Sequence, residues 1–188
     1  MKVIKTDFSD LLIIEPKVFE DSRGYFFESF NSMKYKESGV DITFIQDNES
    51  KSSYGVIRGL HYQLSPYAQT KLVRVISGRI LDVVVDIRQN SPTFGKHFSI
   101  ELSSENKTQL LVPKGFAHGF SVLSETAIVS YKCDELYNPE AERGIRYNDA
   151  KLGIDWKIDN EKATVSSKDK VHPDLMNAEM NFLYGSIH

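Results

Sequence analysis

Lys71-Leu-Val-Arg-Val-Ile76, Ser77-Gly78-Arg79, Ile80-Leu-Asp-Val-Val-Val-Asp-Ile87 is the stretch from which the fold of this chain is read. In its second half Leu81, Val83, Val85 and Ile87 share one face at period two, and Asp82 and Asp86 share the other. That alternation predicts a strand with one core face and one face toward solvent or a cavity, entered through a turn at Ser77-Gly78-Arg79. Further short strands are predicted at His97–Leu102, Thr108–Val112, Gly119–Leu123 and Thr126–Tyr131. Their spacing of roughly ten residues, with turns at Ser91-Pro92-Thr93 and Pro113-Lys114-Gly115, is that of an antiparallel sandwich or barrel. Helical signals are few. Asn31-Ser32 caps a short segment through Tyr35 that Gly39 ends, and Asp149-Ala-Lys-Leu is a second candidate closed by Gly153. The predicted class is mainly β with a few short peripheral helices.

The 188 residues, 40% hydrophobic and 26% charged, predict one soluble domain over 1–188. No repeat, low-complexity tract or linker divides them. A formal net charge of −3 argues against nucleic acid or an anionic membrane as partner, so an anionic ligand must be held by local cations. Cys133 is the single cysteine, which excludes an intramolecular disulfide and a thiolate metal cluster and suits a reducing cytoplasm. Met1–Asp7 shows no leader pattern and no run reaches the length of a membrane span, so the expectation is an unprocessed chain outside the membrane.

The chemistry concentrates in Arg58-Gly59-Leu60-His61-Tyr62-Gln63, with Lys71 ten residues after the histidine. An imidazole is the side chain whose unperturbed pKa lies near physiological pH, as a general base requires, which makes His61 the candidate. A histidine satisfied inside a strand is the structural alternative, but two cations in the same region are costly to bury unpaired and suggest an anion or oxyanion site. Metal binding is the rival. Position 63 is Gln, so the His-x-His pair common in metal-binding barrels is missing, His118 is the one other histidine in a strand-rich context, and His97, His172 and His188 are expected at the surface. A metal site is therefore set aside. Asp21-Ser-Arg-Gly-Tyr-Phe-Phe-Glu28 reads equally as an edge strand with a surface ion pair or as an arginine for phosphate beside a stacking aromatic. Gln46-Asp47-Asn48 is a polar turn or a set of sugar- or base-reading groups. Tyr131 is a core tyrosine or, near cations, a general acid. Ser166–Lys170 reads as a solvated loop.

Arg58–Gln63, Lys71-Leu-Val-Arg74, Pro113-Lys-Gly-Phe-Ala-His-Gly-Phe120 and Ser167-Lys-Asp169, with Asp21–Gly24 and Gln46–Asn48, resemble the dTDP-4-dehydrorhamnose 3,5-epimerases along nearly the whole chain. The resemblance implies a cupin-type jelly roll, a cytoplasmic homodimer with exchanged strands, and no cofactor or catalytic metal. It implies an isomerase acting on dTDP-4-dehydro-6-deoxy-glucose at C3 and C5, in the synthesis of activated L-rhamnose for polysaccharide. It assigns His61 as base, Asp169 as its orienting carboxylate, Tyr131 as acid on the opposite face with Tyr137 as rival, and Lys71 with Arg58 to the enolate oxygen. Substrate contacts are implied at Arg23, Glu28, Gln46, Asp47, Asn48, Arg58, Lys71, His118, Tyr137, Glu142 and Lys168. An epimerase of C3 alone or C5 alone, and a non-catalytic sugar-nucleotide-binding barrel, remain alternatives.

Overall fold

The computed structural model describes residues 1–186, so His188 lies outside the described residues. Along the chain run β1 (Lys2–Lys5), β2 (Leu12–Glu15), β3 (Phe19–Asp21), β4 (Gly24–Phe26), α1 (Ser32–Glu37), β5 (Gln46–Ser53), β6 (Val56–Gln63), β7 (Lys71–Ser77) and β8 (Arg79–Asp86). They continue as β9 (His97–Ser103), β10 (Gln109–Val112), β11 (Phe116–Val122), β12 (Thr126–Cys133), β13 (Glu142–Gly144), β14 (Thr164–Val165) and α2 (Ser167–Lys170). One sheet has the order β1-β2-β10-β7-β12-β5; the other is β13-β6-β11-β8-β9, with β14 added parallel to β6. β3 and β4 form a separate hairpin. The mainly β prediction holds, and no helix among the described residues is long and apolar enough to cross a membrane.

The alternation in β8 fixes how the sheets stack. Leu81, Val83 and Val85, with Ile87 beyond the strand end, pack on the outside of the second sheet against Leu60, Tyr62, Trp156, Leu175 and Phe182. Ile80 and Val84 point the other way and meet Val73, Val75, Phe116 and Phe120 between the sheets. Both faces of β8 are thus buried, and the aspartate face is the barrel interior rather than solvent. Unpaired carboxylates there would be costly. Asp86, at 0% exposure, accepts from the Arg88 guanidinium at 2.8 Å and from the Ser91 and Thr93 hydroxyls; Asp82, also at 0%, accepts from His118.

α1 matches its sequence signal. The Asn31 side chain accepts from the Lys34 N–H at the helix start, and Tyr35 packs with Ile14, Val40, Leu72 and Leu111 on the outside of the first sheet. The helix expected at Asp149–Leu152 is not formed. Asp149 accepts the backbone N–H of Lys151 and, at 2.7 Å, that of Leu175 from the distant C-terminal segment, so its carboxylate ties two segments together. Such side-chain bonds compete with helix formation.

β6 is where the fold makes its site. His61 pairs with His118 and Arg58 with Phe120, so three residue steps on β6 match two on β11. This bulge lets Arg58 and His61, an odd number of residues apart, share the inner face, which a regular strand would forbid. Gly59 carries it at φ 119°, and a Cβ there would lie 2.6 Å from Gly119 Cα and 2.8 Å from the His118 carbonyl oxygen. The backbones therefore meet at two glycines. Gly59→Ala is expected to cost about 3 kcal/mol or more through backbone conformation and overlap. Gly153→Ala, at φ 58° with nothing within 4 Å, should cost only about 1 kcal/mol. Urea unfolding midpoints of the two variants check the ranking.

Candidate active site

Six strand-borne side chains from both sheets, Ser50, Arg58, His61, Lys71, His118 and Tyr131, line one mouth of the barrel with Gly119 and Phe120, around a cavity of ≈ 130 Å³. Two larger cavities, ≈ 590 Å³ and ≈ 690 Å³, share Asp10, Asp41, Thr70 and Pro113. Charged groups there satisfy one another, Lys114 with Asp134 at 3.3 Å and Arg88 with Asp10 at 3.4 Å. The smaller mouth is the better chemical site because titratable groups of different kinds converge on it.

His61 sits on β6 with its Nε2–H donating to Asp169 Oδ1 at 2.8 Å. That bond fixes the tautomer and leaves the Nδ1 lone pair free to take a proton. Asp169 comes from a segment expected to be a solvated loop, but Ser166–Lys170 forms a capped turn of helix and Asp169 is only 4% exposed. Ser166 Oγ accepts the Asp169 N–H at 3.0 Å, and Asp169 Oδ2 accepts the Gly59 N–H at 3.1 Å. Burial alone would raise the carboxyl, but the bonds from His61, Gly59 and Ser166 outweigh it and bring Asp169 down to about 2.

Next to His61 in the ladder, His118 is buried and donates from Nε2 to Asp82 at 2.9 Å. Two histidines at the mouth thus each have a carboxylate behind them. Lys71 faces the interior from β7, its Nζ 5.8 Å from the centre of the Tyr131 ring. Burial lowers its pKa, opposed by the charges of Asp82 and Glu142. Burial also raises the Tyr131 phenol, so it holds its proton at neutral pH. Arg58 donates to Ser52 Oγ at 3.0 Å and lines the same cavity.

At the rim, Glu142 accepts from the Tyr137 hydroxyl at 2.6 Å and from Lys168 at 2.5 Å, while Gln46 Oε1 accepts the Tyr137 N–H. Gln46 donates to Asn48, and both share the inward register of β5. Asp47 falls on the opposite face, exposed and paired with Lys132 at 3.0 Å, so the structure does not bring it to the mouth. Arg23 and Glu28 are also absent from it within one chain. Arg23 pairs with Asp21 at 2.6 Å on the exposed β3–β4 hairpin, and Glu28 pairs with Lys34 and Asn31. Phe27, just beyond that hairpin, lies 5.9 Å from Arg74, three residues from Lys71 on β7.

Sequence reading missed Asp82, Ser50 and His172. Asp82 had a signal, a carboxylate in an otherwise apolar run. Ser50 Oγ lines the cavity buried and without a partner among the described residues. His172, expected at the surface, instead lies with its ring 5.7 Å from that of His61 and its Nε2 3.7 Å from Asp169 Oδ1. Burial lowers its pKa, favouring the neutral imidazole.

Fold and mouth together define the class: a cupin-like β-barrel whose mouth gathers histidine–carboxylate pairs, a tyrosine and cations from both sheets. A family model described as dTDP-4-dehydrorhamnose 3,5-epimerase matches residues 5–177, and the chain belongs to that family. A relative of that name from Shigella flexneri is 55% identical over 161 residues, 85% of this chain and 89% of its own. The crystal structure of the Elizabethkingia anophelis dTDP-4-dehydrorhamnose 3,5-epimerase is 56% identical with a TM-score of 0.88, covering 93% of this chain and 96% of that one. A dTDP-6-deoxy-D-glucose-3,5-epimerase from Legionella pneumophila, solved in complex with dTDP-4-keto-L-rhamnose, is 48% identical with a TM-score of 0.89 over 94% and 93%.

The depressed carboxyl of Asp169 gives a stability test. Its contribution is present above about pH 4 and is lost as pH falls toward 2, about 2 kcal/mol at roughly 1.4 kcal/mol per pKa unit. Asp169→Asn should remove that part of the acid dependence, checked by unfolding free energies of both proteins between pH 5 and 2.

Proposed function

We propose that this chain inverts C3 and C5 of dTDP-4-dehydro-6-deoxy-glucose, giving dTDP-4-dehydro-L-rhamnose, as a cytoplasmic isomerase of activated-rhamnose synthesis. The observation that carries the mechanism is the placement of His61 on β6 and Tyr131 on β12, in different sheets, lining one cavity. The 4-keto group acidifies the hydrogens on C3 and C5. His61 Nδ1 takes one of these protons, and Asp169, a carboxylate throughout the neutral range, stabilises the imidazolium that forms. Charge moves onto the C4 oxygen, where Lys71 and Arg58 stabilise the enolate. Tyr131 returns a proton from the other side, and Lys71 close to its ring stabilises the phenolate left behind. Tyr137 fits this role less well, because it sits on the exposed rim with its hydroxyl committed to Glu142. Ser50, Gln46, Asn48, His118, Glu142 and Lys168 are placed to hold the sugar nucleotide.

His61→Ala should lower turnover about 10²–10⁴-fold while dTDP still binds. Tyr131→Phe should spare solvent deuterium exchange at C3 and C5 more than it spares inversion. Proton NMR in deuterated water follows both carbons separately; unchanged turnover without His61 rejects the base, and exchange at one carbon only makes the enzyme a single-position epimerase.

The reading includes a homodimer in which the β3–β4 hairpin reaches the other protomer's site. Two features support it. The hairpin holds Phe19, Tyr25 and Phe26 exposed at 53%, 56% and 69%, and a cavity of ≈ 130 Å³ is smaller than the ~300–1,000 Å³ of ordinary ligand sites, so one chain does not enclose a nucleotide sugar. Arg23 would then supply a cation for the pyrophosphate. Mixing His61→Ala with Arg23→Ala chains should restore activity above either variant alone, because one site in each hybrid carries both wild-type residues. No gain on mixing, with hybrids present, rejects the shared site.

A further inference from the structure

The geometry points to an inhibitory site for a divalent transition-metal ion, built from His61, Asp169 and His172. One donor atom from each lies within 4.8 Å of the other two. Two imidazoles and a carboxylate are the donors that zinc and its neighbours in the first transition row prefer.

Each donor is held for the role. Asp169 Oδ2 is occupied by the Gly59 N–H, which leaves Oδ1 directed at both histidines, 2.8 Å from His61 Nε2 and 3.7 Å from His172 Nε2. His172 Nε2 is a buried nitrogen with no hydrogen-bond partner among the described residues, which is costly for a polar atom and is relieved by a ligand. Its ring lies on Gly144, the ladder partner of His61, where a Cβ would overlap it. The backbone that follows is fixed too: the His172 and Pro173 carbonyls accept from Arg146. Donors on one tetrahedral zinc stand about 3.4 Å apart, so the His172–Asp169 separation already fits and the His61–Asp169 bond must open by about half an ångström. The 31% exposure of the His61 side chain gives the ion a path from the cavity and leaves a position for water.

Inhibition follows from the tautomer, and it rests on His61 being the base. A neutral imidazole that gives Nε2 to a metal carries its one proton on Nδ1. That is the atom that must accept the proton of the substrate, so a bound ion removes the basic lone pair and separates the imidazole from Asp169. The sensitivity belongs to His172, because His61 and Asp169 alone make a hydrogen-bonded pair.

Isothermal titration of the intact protein with zinc chloride in chelator-free buffer tests the site without reference to turnover. The wild type should bind one ion per chain, with activity falling along the same curve and returning on addition of EDTA. His172→Phe keeps a ring over Gly144 but has no donor, and should weaken both binding and inhibition at least about tenfold; His172→Gln serves the same comparison if the first variant does not fold. Equal zinc affinity with and without His172, or no binding by the wild type, overturns the site and leaves His61 as base untouched. Binding that needs His172 yet spares turnover overturns the inhibition, and with it the assignment of His61 as base.

Discussion

The site depends on one backbone hydrogen bond, from the N–H of Gly59 to Asp169 Oδ2. In a regular β6 that N–H would be spent on a ladder partner and position 59 would carry a side chain. The bulge opposite Gly119 frees it, and the same irregularity turns Arg58 and His61 to one face. A single departure from strand geometry thus supplies the cation, aims the imidazole and anchors the carboxylate that sets its tautomer. Bulges beside active sites do this because the extra residue re-aims side chains without ending the sheet.

The barrel interior handles charge by pairing it before it can interfere. The chain has a formal net charge of −3, yet its mouth presents Arg58 and Lys71. The nearby acids are engaged elsewhere, Asp169 with His61, Asp82 with His118 and Glu142 with Tyr137 and Lys168. Lys71 faces Cys133 across the strand pair, and burial pushes that thiol up to about 11, so it stays uncharged and leaves the ammonium available to an anion. Locally assembled cations do what the overall composition could not.

Most of the architecture was legible in the alternation of Ile80–Ile87 and the spacing of the strands after it, since period-two patterning sets which face is buried. The run Arg58–Gln63 was legible as chemistry from its residue types. The errors share a cause, which is that contacts distant in sequence decide them. Asp149 reads as part of a helix until Leu175 takes its carboxylate, and Ser166–Lys170 reads as a solvated loop until Asp169 meets a strand some hundred residues away. His172 reads as surface because nothing nearby reveals that Gly144 leaves room for its ring. Asp47 is different: alternation alone sets it opposite Gln46 and Asn48 once Gln46–Ser53 is read as a strand rather than a turn.

A two-sheet barrel suits chemistry that must reach both sides of a planar intermediate. Neighbouring residues of one face, such as His61 and His118, present their groups from the same side, so a proton taken and returned there would restore the original configuration. Inversion needs a donor on the opposite wall, and the first sheet brings Tyr131 on β12, the proposed acid, to that wall, with Lys71 on β7 beside it. At the mouth the space between the sheets is lined by Arg58, His61, Lys71 and His118, with Asp82 behind His118, while Val73, Val75, Phe116 and Leu110 belong to the apolar core between the sheets. Polar groups placed at one end of the core forgo some apolar burial, and they leave the cavity between the proposed base and acid lined by groups that can bind or react.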